Sequence, residues 1–149
     1  MRSIALAGAA ALCAVALGPY AAGAQTADKI PRIGYLSPTV ASTRTESFLQ
    51  GLRELGYVEG RNIVVEFRFS AGKNELLADL ASDLVRAGVD LIVTGGTPAT
   101  AAVMQATRTI PIVFGSAGDP VEKGIVASLA HPGGNVTGLA MFVDYDKPL

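Results

Sequence analysis

Three short segments of this 149-residue chain are rich in glycine, proline and hydroxylated residues, and each follows an apolar run. They are SPTVAST (37–43), GGTP (95–98) and GSAGDP (115–120). Glycine lets backbone N–H groups approach a ligand closely, and serine and threonine hydroxyls donate or accept hydrogen bonds. If helices follow these segments, their N-termini add a partial positive charge that suits a carboxylate or another small anion. The same residue types are also ordinary in turns and caps, which is the alternative interpretation of each segment alone.

Asp119 is the charged residue of these segments, and it has two interpretations. It could cap a helix that begins near Val121, because aspartate is a preferred N-cap residue. It could instead accept hydrogen bonds from an amine or hydroxyl group of a ligand. A carboxylate beside helix N-termini would suit a zwitterion such as an amino acid.

The chain offers little for catalysis or for binding a metal or cofactor. His131 is the only histidine, and the sequence PGG that follows it favours a turn residue over a catalytic base. Cys13 is the only cysteine and lies in the N-terminal apolar segment, so the mature chain would have neither a thiol nor a disulfide. No zinc-binding set results, and VTGGTPAT lacks the lysine and the spacing of a phosphate-binding loop. We expect no catalytic residue, no metal and no cofactor.

Strand-like and helix-like pieces alternate along the chain. Leu77, Leu80 and Leu84 lie at helical spacing and predict a helix over 74–88. Asn74 is the expected capping residue of this helix, and Gly88 is its expected stop.

The other elements are predicted from similar patterns. Thr97 as N-cap and Pro98 at the first helical position begin a helix over 98–108. Apolar and β-branched runs predict strands over 32–36, 62–69, 90–94, 110–114 and 135–139, and further helices are predicted over 47–56 and 121–130. This alternation predicts an α/β fold, an open parallel sheet with helices on both faces and a Rossmann-like, flavodoxin-like strand order.

The three glycine- and hydroxyl-rich segments follow the first, third and fourth predicted strands. Because ligands of open parallel sheets bind at the carboxyl ends of the strands, we expect the segments to meet in one crevice.

The N-terminus has the composition of a secretory signal peptide. Arg2 precedes an apolar stretch over 4–17, a Gly18-Pro19 break and small residues that end at Ala24. The apolar stretch is about fourteen residues long, shorter than the roughly 20 that span a bilayer, which favours cleavage after Ala24 over an uncleaved anchor. We therefore expect a periplasmic protein.

Removal of residues 1–24 would leave one α/β domain over 25–140 and a divergent tail over 141–149. The remaining eleven basic and thirteen acidic residues give a net charge of −2 and form no basic cluster. This charge balance argues against nucleic acid and against an anionic membrane surface as partners.

These motifs together resemble a known family. RIGYLSP, FLQGLRELGYVEGRNIVVEFRF and GDPVEKGIVASLAHPGGNVTGL are similar to segments of bacterial ABC-transporter substrate-binding proteins of the tryptophan/tyrosine uptake type, and the likeness covers about 31–139. The resemblance implies a type 1 periplasmic binding protein, in which two Rossmann-like lobes trap a solute between them. It also implies delivery of the solute to the membrane subunits of an ABC permease, with no direct ATP binding by this chain.

The resemblance also implies which residues bind the ligand. These lie in the segments after the first, third and fourth strands and are Ser37, Thr39, Gly96, Thr97, Pro98, Ser116, Ala117 and Asp119.

Family members continue after NVTGL into a second lobe, so we interpret the chain as an N-terminal lobe or a truncated product. Three functions stay open: a solute-binding lobe for a small organic solute such as an amino acid, a non-binding fragment, and an enzyme on the same scaffold.

Overall fold

The computed structural model describes residues 29–141. The predicted signal peptide (1–24) and most of the predicted tail (142–149) lie outside the described residues. Within the described part, no helix is long and apolar enough to cross a membrane. The strands are β1 (Arg32–Ser37), β2 (Val64–Phe69), β3 (Leu91–Thr94), β4 (Ile112–Gly118) and β5 (Val136–Met141), and the helices are α1 (Thr43–Glu54), α2 (Leu77–Arg86) and α3 (Thr97–Ala106).

All five strands form one parallel sheet in the order β2-β1-β3-β4-β5. This is the flavodoxin-like order, so the predicted fold class is confirmed. The strand order changes direction at β1 and β3, which places the carboxyl ends of these central strands at the crevice where such sheets bind ligands.

One face of the sheet packs against α2 and α3 and contains most of the hydrophobic core. Leu36 of β1, Ile92 of β3 and Ile112 of β4 lie on this face with no solvent exposure. Gly34 lets α2 approach closely, because a Cβ atom there would lie 3.1 Å from both methyl carbons of Leu84. The leucine repeat that predicts α2 therefore faces the sheet.

The opposite face carries α1 and an aromatic cluster. The Tyr35 ring lies 5.2 Å from the Phe48 ring of α1 and 5.6 Å from the Phe67 ring of β2, measured between centroids. Phe69 completes the cluster at 6.3 Å from Tyr35. With α1 on this face and α2 and α3 on the other, the predicted helices on both faces are confirmed.

The ends of two helices differ from the prediction. Asn74 begins a short 3₁₀ turn instead of capping α2, whose N-cap is Leu76. Thr97 is the first residue of α3, and Gly96 is its N-cap. Gly96 takes this position because its φ of 111° lies where a residue with a Cβ atom is strained.

The connection between β4 and β5 differs more from the prediction. The predicted helix over 121–130 is wrong, since the described residues there form turns. Gly124 adopts a φ of 67°, which ends helical geometry within one turn. β4 is also longer than predicted and continues through Gly118, because Ala117 and Gly118 pair with β5 after a register shift that follows Phe114.

Candidate functional site

A cavity of about 580 Å³ lies on the α1 side of the sheet, at the carboxyl ends of β1, β3 and β4. Its volume is within the range of about 300–1,000 Å³ that small-molecule sites occupy. Fourteen residues line it: Tyr35, Ser37, Thr39, Ser42, Thr43, Arg44, Ser47, Phe48, Val93, Thr94, Gly95, Gly115, Ser116 and Leu139. The predicted crevice therefore exists and receives residues from all three glycine- and hydroxyl-rich segments.

The segment between β1 and α1 supplies a wall of hydroxyl groups. Ser37 ends β1, and its Oγ lies 3.0 Å from Thr39 Oγ1 and accepts a hydrogen bond from the Thr39 N–H at 3.3 Å. Ser42 is the N-cap of α1, and its N–H donates to Thr45 Oγ1 at 3.4 Å. The hydroxyl side chains are thus held at the point where β1 turns into α1.

The turn between β3 and α3 is anchored by a buried chain of hydrogen bonds. Thr100 Oγ1 donates to the Gly96 carbonyl at 2.9 Å and lies 2.7 Å from Thr94 Oγ1. Because the Thr100 proton goes to the carbonyl, the Thr94 hydroxyl must be the donor to Thr100 Oγ1. Both threonines have no solvent exposure. This chain fixes the backbone of Gly96, which directly follows the lining residue Gly95.

The floor of the cavity is apolar. The ring of Tyr35, the ring of Phe48 and the side chain of Val93 contribute to it. Leu139 of β5 lies at its rim with 70 % of its surface exposed. A ligand with an apolar part would therefore gain free energy from contact with this floor.

Arg44 is the charged residue among those that line the described cavity wall. It lies in the first turn of α1, where the partial positive charge of the helix disfavours a cation. No carboxylate side chain is among the lining residues. The wall is therefore electropositive.

The sequence pattern does not single out Arg44, Tyr35 or Phe48 as residues of a site. Their position at the cavity depends on the packing of α1 against the sheet, which local sequence does not encode.

The structure brings only part of the predicted set into the cavity wall. Ser37, Thr39 and Ser116 line it, as do the neighbours Gly95 and Gly115. Ser116 lies within the register shift of β4, between Phe114 and Ala117.

The remaining predicted residues lie beside the wall or away from it. Gly96, Thr97 and Pro98 form the start of α3, and they follow the lining residue Gly95 directly. Ala117 is 2 % exposed and belongs to the hydrophobic core on the other side of the sheet. The predicted contacts of these residues with a ligand stay predictions.

Asp119 occupies a turn after β4. Its Oδ1 accepts a hydrogen bond from the Glu122 N–H at 3.0 Å, and its carbonyl accepts one from the Lys123 N–H at 3.1 Å. Its φ is 38°, a conformation that aspartate tolerates better than most residues. Asp119 therefore caps a turn and not the predicted helix, since no helix follows in the described residues. It is not among the residues that line the cavity, and its predicted contact with a ligand stays a prediction.

The carboxyl groups with perturbed ionisation lie outside the cavity. The hydrogen bond from Arg32, 2.6 Å from Glu66 Oε1, lowers the pKa of Glu66 below its usual value of 4.5. Lys29, 2.6 Å from Asp90 Oδ1, and the Arg32 N–H likewise hold the pKa of Asp90 below its usual range. Arg32 and Asp90 lie at the amino ends of β1 and β3, so these ion pairs belong to the opposite edge of the sheet.

Other reactive residues are not gathered at the cavity. His131 is exposed in a turn, where its backbone N–H donates to Ser128 Oγ at 3.0 Å. Within residues 29–141, no group of three histidine, cysteine, aspartate or glutamate side chains is placed to hold a metal ion.

Comparison with known proteins places this site in context. A family model described as "ABC transporter substrate binding protein" matches residues 36–147. A tyrosine-binding protein of Clostridioides difficile is 38 % identical over 104 residues, which is 70 % of this chain and 30 % of that protein.

Solved structures of substrate-binding proteins are also similar to this chain. The ABC domain from Streptococcus pneumoniae in complex with L-Trp is 30 % identical, with a TM-score of 0.70 over 75 % of this chain and 39 % of that one. The ligand-free, open structure of a Clostridium difficile substrate-binding protein with adhesive properties is 32 % identical, with a TM-score of 0.73 over 78 % and 41 % of the two chains. The chain thus spans between 30 % and 41 % of the length of these relatives.

Proposed function

Because the chain belongs to the family of ABC transporter substrate-binding proteins, we propose that it is the solute-binding component of an ABC importer. It captures a small organic solute outside the cytoplasm and delivers it to the membrane subunits of a permease. The relatives named for tyrosine and solved with L-Trp favour an aromatic amino acid as the solute.

The observation that carries this proposal is the cavity at the carboxyl ends of β1, β3 and β4. Its floor of Tyr35, Phe48 and Val93 suits an apolar or aromatic side chain, and its hydroxyl wall suits the polar end of the same molecule. Sites for small molecules combine an apolar surface with a few placed polar groups in this way.

We propose that the solute is bound without chemical change. The residues that line the described wall include no histidine, cysteine or carboxylate that could act as a general base or nucleophile. The hydroxyls of Ser37 and Thr39 contact each other, and neither has a base beside it in the described residues.

We place the protein in the periplasm, because residues 1–24 have the composition of a cleaved signal peptide. Fractionation of cells that express the whole chain, with N-terminal sequencing of the product, tests this localisation. A product that retains Arg2 in the cytoplasm would contradict it.

A thermal-shift screen with L-tryptophan, L-tyrosine, L-phenylalanine and L-leucine tests the solute-binding proposal. Binding to the native state stabilises it, so the Tm rises with ligand concentration. At a ligand concentration of 100 times the Kd, the stabilisation is about 2.7 kcal/mol. The D-enantiomers serve as controls for nonspecific effects. A Tm that does not respond to any of the four amino acids at millimolar concentration would contradict binding of this solute class.

A pair of glycine variants connects that response to the cavity. Gly95→Val places a side chain into the wall, where a Cβ atom would already lie 3.0 Å from Ser37 Oγ. Gly118→Val is the matched control, because a Cβ atom there has no neighbour within 4 Å. We expect Gly95→Val to abolish the ligand-dependent Tm shift and Gly118→Val to retain it. Equal shifts in both variants would place the ligand elsewhere.

A further inference from the structure

Within residues 29–141, the hydroxyl of Tyr35 lacks a structural hydrogen bond. Tyr35 is 6 % exposed, and its ring is held among Phe48, Phe67 and Phe69. No described residue donates a hydrogen bond to its Oη or accepts one from it. The hydroxyl oxygen keeps accessible surface, because among the described residues only Arg32 Nε is a buried side-chain polar atom without a hydrogen-bond partner. It is therefore free to bind a ligand group.

This hydroxyl points into one corner of the cavity. Tyr35 lines the cavity, and its Oη would lie 3.6 Å from a Cβ atom at Gly95. The missing side chain of Gly95 therefore keeps the space in front of the hydroxyl open. Ser37 Oγ, beside the same corner, is already occupied by the Thr39 hydroxyl and N–H. The Ser37 and Thr39 hydroxyls share one hydrogen bond, so one proton of that pair is free to donate, as is the Tyr35 proton. A hydrogen-bond acceptor therefore complements this corner.

Arg44 indicates that the acceptor is anionic. It lines the same cavity from the first turn of α1, a 12-residue helix whose N-terminus disfavours a cation. No described residue forms an ion pair with its guanidinium. Since the described lining also lacks a carboxylate, a ligand anion is the group that this wall complements.

We propose that this wall binds the carboxylate of the solute, with the Tyr35 hydroxyl donating a hydrogen bond and Arg44 supplying the positive charge. The inference rests on the proposed function, since it takes this cavity to be the solute site. It assigns the ammonium group of an amino acid to a position away from the described wall. The carboxylate is then the group that every solute of this site requires.

Analogues that lack one charged group test the assignment by calorimetric titration of the whole chain. L-tryptophan is compared with 3-indolepropionate and tryptamine, and L-tyrosine with 3-(4-hydroxyphenyl)propionate and tyramine. We expect each propionate to bind within about tenfold of its amino acid, and each amine to lose about a hundredfold or more, as for a lost hydrogen bond to a charged group. An amine that binds more tightly than its propionate would overturn the proposal.

Four variants locate the carboxylate. Tyr35→Phe and Arg44→Gln should each raise the Kd by roughly ten- to a hundredfold. Tyr57→Phe and Arg53→Gln, which remove the same groups outside this cavity, should leave the Kd within about twofold, as expected of surface changes. Retention of wild-type affinity by Tyr35→Phe and Arg44→Gln would overturn the assignment.

The ligand-free Tm separates a ligand-binding hydroxyl from a structural one. Tyr35→Phe removes an unpaired hydroxyl, so its Tm should equal or exceed that of the wild type. A decrease of several degrees would show a structural partner and overturn the inference. Failure of the wild type to bind any of the six compounds would refute the proposed function together with this inference, whereas binding that ignores both variants would refute the inference alone.

Discussion

The hydrogen-bond chain from Thr94 through Thr100 to the Gly96 carbonyl makes an asymmetric prediction for two isosteric substitutions. Thr100→Val removes both side-chain hydrogen bonds and leaves the buried Thr94 hydroxyl without an acceptor. Thr94→Val removes one hydrogen bond, and Thr100 still donates to the carbonyl. The two substitutions change side-chain shape little. The difference between their unfolding free energies therefore reports which of the two hydroxyls donates its proton to the other.

The magnitudes follow from the cost of buried hydrogen bonds. Each lost bond costs about 1 kcal/mol, and a stranded buried hydroxyl costs about 1–3 kcal/mol more. We therefore expect about 3–5 kcal/mol for Thr100→Val and about 1 kcal/mol for Thr94→Val. The double variant strands no hydroxyl and should cost about 2 kcal/mol, less than the two single effects combined.

Urea denaturation followed by circular dichroism measures these differences as a double-mutant cycle. Thr137→Val is the matched control, because Thr137 is exposed in β5 and makes no side-chain hydrogen bond with a described residue. It should change stability by no more than about 0.5 kcal/mol. Additive effects, or a larger cost for Thr94→Val than for Thr100→Val, would refute the donation order.

Two further predictions concern the rest of the sheet. Gly138→Ala should destabilise the chain by about 1–3 kcal/mol in urea denaturation, since its Cβ would overlap the Phe114 carbonyl and ring, whereas Gly118→Ala in the same strand pair should cost much less. Glu66 has its pKa lowered by Arg32, so its stabilisation is present above about pH 4.5 and disappears as the pH falls through the lowered value. In melting curves, the Tm deficit of Glu66→Gln relative to wild type should therefore shrink between pH 7 and pH 3, and a constant deficit would contradict the ion-pair explanation.

The strands and helices that the sequence predicted well are those whose patterns are local. The leucine repeat of α2 and the stop at Gly88 are visible in the sequence, and in the structure the helix ends at Arg86, two residues before Gly88. β4 was predicted too short, because Ser116 and its neighbours have the composition of a loop. Pairing with β5 overrides that local preference, and such pairing is set by tertiary structure.

In the candidate site, too, some features follow from local sequence patterns and others depend on tertiary structure. The edge of the sheet was predictable, since strand order alone places Ser37, Gly95 and Ser116 at the carboxyl ends. The residues that give the cavity its chemical character were not. Tyr35 belonged to an apolar run with no mark of function, and Arg44 acquires its role only when α1 packs over the sheet.

The weak anchoring of α1 has a consequence for how the site responds to a solute. α2 buries Leu77, Ala81 and Leu84, whereas Thr45 is the residue that α1 buries among those the structure describes. Local opening free energies follow such differences in buried contact, so α1 should exchange its amide hydrogens well before α2 and α3 do. The sheet at the floor of the site then stays rigid, whereas the wall that α1 forms can move. Solutes of unequal bulk could be accommodated by a shift of one helix, with the folding cooperativity of the remaining domain left intact.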